Sequence, residues 1–296
     1  MKKVVLSVVA ALALTTSALA ADMPVKAAKA APAPPPSPFD ILFGTALTTD
    51  YELRGVSQSA HKPAIQGYTE FDYTATDWLK LYAGVWGSSL YTGFANAEFD
   101  ISGGARFSFG NFGLDVGYVY YEYPDGRPNG FGSFGEFYAK PSYKVADWLT
   151  VGAIIDGGSN WNDKCLGAAC VGVWTGNADA GYYSGNAVIT LPWSPIKDVT
   201  ISVNPEVGRQ WFSSNVNFIT GGPLGVKSYT YWDVGLDIVY KAITLDLRYW
   251  DTDTSGSFAN GGNAICGAGA GHPNLNACSS RFVATLKFDT SLSALK

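Results

Sequence analysis

The chain has 296 residues, a formal net charge of −5, 14% aromatic residues, 34 glycines and only 15% charged residues. An acidic chain of this kind offers no basic face, so nucleic-acid binding is not expected. Soluble domains carry roughly 25% charged residues, and the deficit here favours a surface that faces lipid. No stretch after the N-terminal segment approaches about 18 consecutive apolar residues, so the sequence predicts no transmembrane helix there.

The N-terminal segment has the pattern of a cleaved secretory signal peptide. Lys2 and Lys3 precede an apolar run that ends in Ala18-Leu19-Ala20, and this order of basic, apolar and small residues predicts cleavage after Ala20. The protein is therefore expected to be exported. The predicted organisation is a signal peptide (1–20), an Ala/Pro-rich disordered leader (21–38), a β-barrel (39–289) and a C-terminal tail (290–296).

From Phe39 onward, apolar and polar residues alternate, which predicts strands with one apolar and one polar face. In residues 243–250, for example, apolar residues alternate with Thr244, Asp246 and Arg248. About twelve such segments occur, and most match tilted membrane-crossing strands better than the shorter strands of soluble proteins. Only residues 177–191 change phase, near Tyr182-Tyr183, where a bulge would restore the alternation. The predicted starts lie near residues 39, 62, 79, 96, 112, 133, 149, 177, 198, 228, 243 and 279.

The connections alternate between long and short. Tight turns are predicted at Asp77-Trp78, Gly110-Asn111, Asp147-Trp148 and Lys241-Ala242, while segments such as Arg54–His61 are predicted as external loops. Bacterial outer-membrane barrels share this plan of short periplasmic turns, long external loops and an even strand number. The sequence therefore predicts an all-β fold: a transmembrane antiparallel up-and-down β-barrel of about twelve strands, with periplasmic termini, in the outer membrane of a Gram-negative bacterium.

The charged residues of these strands fall overwhelmingly on the polar face. A Lys or Arg on the lipid face at mid-depth would cost about 2–4 kcal/mol, so this face is expected to line a polar lumen. Small residues on the same face, such as Gly104 and Gly117, indicate space inside. A soluble lipocalin-like or sandwich fold would exchange the two faces, but strand length, strand number and aromatic turns argue against it. The predicted lumen-facing residues are Asp50, Arg54, Glu70, Asp72, Lys80, Glu98, Asp100, Arg106, Asp115, Glu136, Lys140, Asp233, Asp237, Asp246, Arg248, Arg281 and Lys287.

Three tryptophans, Trp78, Trp148 and Trp193, each lie in a predicted tight turn. An indole favours the membrane–water boundary, where its ring contacts apolar groups and its N–H faces water. Turns are also poor places for a soluble core. These residues are therefore predicted to form part of a periplasmic aromatic girdle.

The four cysteines form two local pairs, Cys165/Cys170 and Cys266/Cys278. An exported protein meets an oxidising compartment, which favours disulfides. Three connectivities are open to four cysteines, and the local pairs are preferred because each lies in one Gly-rich segment. Neither spacing is of the Cys-x2-Cys type and neither pair has two histidines nearby, so no zinc site is expected.

The first predicted hairpin, within residues 47–73, also carries a motif. It contains Asp50-Tyr51, Arg54-Gly55, Ser57-Gln58-Ser59 and Lys62–Gly67, and in these residues it resembles the TorF family of proteobacterial outer-membrane porins. The resemblance implies an outer-membrane porin without naming a solute. Such barrels commonly end on an aromatic residue, whereas this chain continues past Phe288. Either the assembly signal is internal or the last strand is misplaced.

These features predict a non-enzymatic channel for passive diffusion of small hydrophilic solutes, with outer-membrane lipid as its surroundings and no cofactor. A closed structural or adhesive barrel that acts through its loops remains an alternative. An outer-membrane lipid hydrolase would need a Ser–His pair, but His61 and His272 are predicted to be solvated loop residues. Asp251–Gly256 imitates half of a calcium loop, but position twelve is Gly262 instead of Glu, so no metal site is expected. Solute, gating and oligomeric state do not follow from the sequence.

Overall fold

The computed structural model describes residues 37–91, 95–124, 133–158, 180–212, 216–217, 225–254, 263–266 and 276–295. The predicted signal peptide, most of the predicted leader, Cys165, Cys170 and His272 lie outside these residues. Within the described part of the chain, no helix is both long and apolar enough to cross a membrane.

Twelve antiparallel strands form a closed barrel, in which each strand pairs with its neighbours along the chain and the last closes on the first. The prediction of about twelve strands is therefore confirmed, and every predicted start lies within three residues of an observed one. The strands are β1 Phe39–Thr48, β2 Ala64–Thr76, β3 Leu79–Ser89, β4 Ala97–Phe109, β5 Phe112–Glu122, β6 Phe134–Ala146, β7 Leu149–Gly158, β8 Ala180–Thr190, β9 Val199–Phe212, β10 Tyr229–Tyr240, β11 Ile243–Thr252 and β12 Arg281–Ser291.

The two ends of the barrel differ. The tight turns, the start of β1 and the end of β12 share one end, here called the turn end, because the strand number is even and neighbours are antiparallel. β12 is followed by a short 3-10 helix, Ser293–Leu295. The longer connections lie at the opposite end, here called the loop end. Two-residue strand pairs occur there, Glu52–Leu53 with Val56–Ser57 and Val216–Asn217 with Gly225–Val226.

The barrel is apolar outside and polar inside. Phe282 is 81% exposed and Phe137 72% exposed, whereas the carboxylates Glu98, Glu136 and Asp233 are almost completely buried. A soluble barrel buries its apolar face, because burial of apolar surface is what stabilises it. The soluble lipocalin-like alternative is therefore wrong.

The bulge predicted at Tyr182-Tyr183 is also wrong. β8 keeps one register with β7 and one with β9 along its length. The alternation is obscured there because two adjacent tyrosines occupy opposite faces: Tyr182 is buried, whereas Tyr183 is exposed. The register shifts that do occur lie at Thr74/Thr76 and Lys144/Ala146, one residue before each Asp-Trp turn.

Candidate functional site

The connection after β1, residues 49–63, folds back into the barrel and is called the inserted loop below. Asp50, Tyr51 and Ser59 are buried in it. At its tip, Gly55 has a φ of +80°, and a Cβ there would lie 2.7 Å from Tyr231 and Thr252, so only glycine fits. The prediction that this segment is an external loop is wrong, because its polar side chains find partners inside the barrel.

Arg54 anchors the inserted loop to the far wall. Its Nη2 donates to Glu136 Oε2 on β6 at 2.7 Å and to Asp156 Oδ2 on β7 at 2.8 Å. Its Nη1 donates to Gln210 Oε1 on β9 at 3.1 Å, and Tyr229 Oη donates to the Arg54 carbonyl at 3.0 Å. Burial alone would lower the pKa of the Arg54 guanidinium, but the carboxylates of Glu136 and Asp156 raise this pKa well above its usual value. Arg54 is therefore a permanently charged tie across the barrel interior.

Asp50 anchors the base of the inserted loop. Its Oδ1 accepts from Ser57 Oγ at 2.6 Å and Ser59 Oγ at 2.7 Å, and its Oδ2 accepts from Arg281 Nη1 at 3.0 Å. His61 is exposed in this loop, as predicted for a solvated loop histidine, and its Nδ1 also lies 3.1 Å from Asp50 Oδ2. Burial would raise the pKa of Asp50, but hydrogen bonds from His61, Ser57, Ser59 and Arg281 outweigh it and hold the pKa below its usual value.

Glu52 is the most deeply buried charge of the inserted loop. Its side chain is 3% exposed and its Oε1 lies 2.6 Å from Arg281 Nη1. Burial raises the pKa of Glu52 well above its usual value; Arg281 opposes this shift, whereas Asp50 and Asp233 add to it. Glu52 and Asp50 therefore respond to pH in opposite directions, although the same arginine contacts both.

The last long connection packs against the inserted loop. Cys266 and Cys278 form a disulfide there, which confirms this local pairing. The Ser57 amide donates to the Ala277 carbonyl at 2.9 Å, and His61 Nε2 lies 3.1 Å from the Asn276 carbonyl oxygen. The last long connection, which is distant from the inserted loop in sequence, thus helps to hold that loop in place.

On the inner face nearer the turn end, an ion-pair cluster surrounds Arg106. Its Nη1 and Nη2 donate to the two carboxylate oxygens of Glu70 at 2.6 and 2.9 Å, and its Nε donates to Asp115 at 3.2 Å. Lys80 Nζ donates to Asp72 at 2.8 Å. Bidentate Arg–carboxylate pairs of this kind have fixed geometry, so the cluster cross-links β2, β3, β4 and β5 from inside.

A second inner cluster surrounds Arg248 on β11. Arg248 donates to Asp233 on β10, and Lys287 Nζ on β12 donates to Asp246 Oδ2 at 3.0 Å. Asn204 donates to Asp237 at 2.7 Å. Every basic residue of this cluster is therefore engaged by a carboxylate of a neighbouring strand or of its own strand.

Three further predicted residues, Glu98, Asp100 and Lys140, lie apart from these clusters. Glu98 accepts from Tyr51 Oη at 3.2 Å, beside Asp100 on the same face of β4. Lys140 extends over the Tyr138 ring at 4.3 Å. All the predicted lumen residues that lie in strands thus fall on the inner face, and Asp50 and Arg54 reach that space through the inserted loop.

The small size of Gly104 and Gly117 suggested empty space beside them, but neighbouring side chains fill that space. A Cβ on Gly104 would lie 2.6 Å from Tyr82 Oη, and one on Gly117 would lie 2.5 Å from Tyr138 Oη. A tyrosine from a neighbouring strand therefore fills the position that each glycine opens. Space does not follow at these two positions, because the glycines admit neighbouring rings, whereas Gly152 does line a cavity.

Described residues of the inner face border at least two cavities. One, of about 330 Å³, is lined by Arg106, Ser108, Lys140 and Asn186 among others. The other, of about 200 Å³, lies beside the inserted loop and is called the loop cavity below. Polar and charged residues therefore border both spaces.

Several residues of the interior were missed by the sequence reasoning. Glu52 contacts Arg281, and Asp156 and Gln210 accept from Arg54. Glu206 accepts from Tyr231 Oη at 2.7 Å. Asp156 and Glu206 lie at polar positions of alternating segments, which could have indicated them. No comparable signal indicates Glu52, because it lies in a connection.

The three turn tryptophans lie at the turn end and are partly exposed. Trp78 stacks on Phe107 and Phe109, with centroids 6.2 and 5.8 Å apart. Trp148 and Trp193 are more than half exposed. Their indole rings can therefore contact molecules outside the barrel.

A family model described as "Bacterial protein of unknown function (Gcw_chp)" matches residues 32–270. None of the curated proteins compared with the chain matches it. Solved structures with a similar fold include a NanC porin (10% identity, 85% of this chain, 98% of that chain, TM-score 0.43). Others are an outer membrane channel from Pseudomonas putida F1 (11%, 87%, 96%, 0.45) and a Pseudomonas aeruginosa FadL homologue (12%, 86%, 89%, 0.42).

Proposed function

We propose that this chain, which belongs to the Gcw_chp family of bacterial proteins, is a narrow outer-membrane channel. It would allow passive diffusion of small hydrophilic solutes. The motif around Arg54-Gly55 supports the finer assignment to TorF-type porins. In this proposal the signal peptide is cleaved, the turn end faces the periplasm and the loop end faces the exterior. The predicted lumen-facing residues line the pathway.

The outer surface supports a position in the membrane. Large apolar side chains such as Phe137 and Phe282 project outward from the strands and are 72% and 81% exposed in the part of the chain that the structure describes. A closed barrel satisfies its backbone hydrogen bonds internally, which is a requirement for any chain that crosses hydrocarbon. Trp78, Trp148 and Trp193 would then anchor the periplasmic boundary as an aromatic girdle.

The inner surface supports passage of polar solutes, and this observation carries the proposal. Ion pairs line the inner face from the Arg106 cluster to the Arg248 cluster, and two cavities border them. A twelve-stranded barrel is narrower than the 16–18-stranded porins. The inserted loop reduces the width further, so only small solutes would pass.

One observation favours a closed barrel as the second candidate. Arg54 reaches the far wall and is bound there by two carboxylates and an amide. A loop held in this way could seal the interior, and the protein would then act through its external loops.

Conductance of the purified full-length mature protein in a planar lipid bilayer separates the two candidates. The channel predicts sustained ohmic steps that recur with every preparation and are absent with heat-denatured protein in the same detergent. Silence from protein whose insertion is verified by heat-modifiable migration would contradict the channel and favour the closed barrel.

A further inference from the structure

The loop cavity combines side chains from the inserted loop and from distant strands. Trp86 on β3 and Gln66 on β2 face it from one side, Trp250 on β11 and Thr285 on β12 from the other, and Glu52 borders it from the loop. Its volume of about 200 Å³ equals the liquid volume of ~7 water molecules. It therefore has room for one small ring-shaped solute.

Buried acceptors at this cavity have no hydrogen-bond donor among the described residues. Glu52 Oε2 is one, on a side chain that is 3% exposed. Asp246 Oδ1 is another, on a side chain that is 9% exposed; it forms an ion pair with Arg248 Nε at 3.4 Å but no hydrogen bond. A buried carboxylate oxygen without a donor is costly, and native proteins usually satisfy such groups with protein, water or ligand. A ligand that carries hydrogen-bond donors would therefore satisfy these carboxylate oxygens.

The charges around the cavity are already balanced within the protein. Glu52 and Asp50 both contact Arg281, and Asp246 contacts Lys287 and Arg248. A cationic ligand would lie near Lys287 and Arg248, and an anionic ligand near Asp246, so either would meet a like charge. A neutral ligand avoids both costs.

The two indoles supply the apolar part of the wall. Trp86 packs against Tyr51 with ring centroids 5.4 Å apart, and Trp250 packs against Tyr231 with centroids 5.6 Å apart. Each indole is therefore held by a neighbouring aromatic ring. Pockets that combine aromatic walls with a few placed polar groups are typical of small-molecule sites. A pyranose ring matches this wall, because it presents apolar C–H groups together with many hydroxyl donors.

We propose that the loop cavity binds a monosaccharide-sized neutral polyol. Hydroxyl groups donate to Glu52 and Asp246 and accept from Gln66, Lys287 and Arg248, while the ring packs against Trp86 and Trp250. This site rests on the proposed function only in that the channel supplies the solute. It makes the cavity a binding station on the diffusion pathway beside the inserted loop.

Isothermal titration of the full-length mature protein in detergent micelles tests the site. D-glucose, ethanolamine (a cation at neutral pH) and acetate serve as the neutral, cationic and anionic probes. Saturable binding of glucose alone is expected. Saturable binding of only a charged probe, or of none of the three, would overturn the proposal.

Two variants with a matched control locate the binding. Trp86→Leu and Gln66→Ala are expected to weaken glucose binding about tenfold each, whereas Trp148→Leu, at an exposed turn, leaves it unchanged. Two cavity substitutions are used so that misfolding of one leaves the other informative. Unchanged glucose affinity in a folded cavity variant contradicts the site. Glucose binding without bilayer conductance would contradict the channel alone, and conductance without glucose binding would contradict this site alone.

Discussion

Arg54, at the tip of the inserted loop, donates through both terminal nitrogens to the Glu136 carboxylate on the far wall, at 3.1 and 2.7 Å. Glu136 lies on β6, five strands around the barrel from the strand that leads into the loop. This side chain therefore helps to fix how far the loop extends across the interior. In the proposed channel, the width of the pathway depends on this contact.

Arg54→Ala is expected to increase the single-channel conductance, because the loop tip loses its tie to Glu136 and Asp156. The same substitution leaves two carboxylates without their cation, which costs roughly 3–5 kcal/mol for a buried pair. The unfolding midpoint in detergent should therefore fall as conductance rises. Both are measured on the same preparation, by bilayer recording and by circular dichroism.

Arg209→Ala serves as the matched control for that variant. Arg209 is in β9, beside Gln210, and its Nη1 donates to Thr230 on the neighbouring strand. Its removal should leave conductance unchanged. If Arg54→Ala and Arg209→Ala give the same conductance as the wild type, the inserted loop does not limit the pathway.

Glu52→Gln is expected to stabilise the folded protein near pH 8 and to have little effect near pH ~4. The folded-state pKa of Glu52 is raised by burial, so its contribution to stability is complete below the unfolded pKa and is lost as pH rises through the folded pKa. Glutamine removes that loss, so the unfolding midpoint of the variant should exceed that of the wild type at the higher pH. Thermal unfolding followed across this pH range checks the sign.

A lower unfolding midpoint for Glu52→Gln at high pH would mean that the Arg281 contact outweighs burial. Asp147→Asn is the control for this measurement. Asp147 lies in an exposed turn, and Lys144 lowers its pKa, so its neutralisation should shift the midpoint slightly and in the opposite sense.

Asp50→Asn has the opposite pH signature. The pKa of Asp50 is held low by its hydrogen bonds, despite burial that would raise it, so its stabilisation is present above the unfolded pKa and is lost as pH falls through the folded pKa. We expect a loss of ~2–3 kcal/mol near pH 7, which shrinks as the pH approaches 3. A cost that is independent of pH would contradict the ionised state of Asp50.

Replacement of Cys266 and Cys278 by serine is expected to loosen the support of the inserted loop. The two cysteines are 12 residues apart, and opening a loop of this size costs about 3 kcal/mol in the chain-entropy model. The contacts of Ser57 with Ala277 and of His61 with Asn276 should weaken with it. Limited proteolysis in detergent should then cleave near residue 276 faster than in the oxidised wild type, and equal rates would contradict this coupling.

The strands could be predicted from sequence because their alternation records a physical division between two surroundings. Residues 243–250 show it most clearly, since Asp246 and Arg248 share a face and both find partners inside. Turn chemistry then set the strand boundaries closely, as at Asp77-Trp78. Each strand needs one apolar and one polar face, and this requirement is visible in the alternation of its own residues.

The inserted loop could not be predicted in the same way. Arg54 was expected inside because of its charge, but its partners Glu136 and Asp156 come together only when the barrel closes. His61 is exposed as predicted, but its contacts with Asp50 and Arg281 could not be predicted, because Arg281 is distant in the sequence. Glycines on the inner face were equally ambiguous, since a missing side chain can mean a free volume or a neighbouring tyrosine.

We propose that the apolar side chains of this barrel contact lipid, whereas the residues at alternate positions face a water-filled interior. Leu286 and Thr285 on β12 are adjacent, with Leu286 exposed on the outer face and Thr285 lining the loop cavity. Nitroxide labels on cysteines placed at each position, with the native cysteines replaced by serine, report this division in reconstituted bilayers. The account predicts that the Leu286 label is accessible to oxygen and shielded from a water-soluble nickel complex, and that the Thr285 label shows the reverse. Preferential exposure of Leu286 to the nickel complex would contradict it.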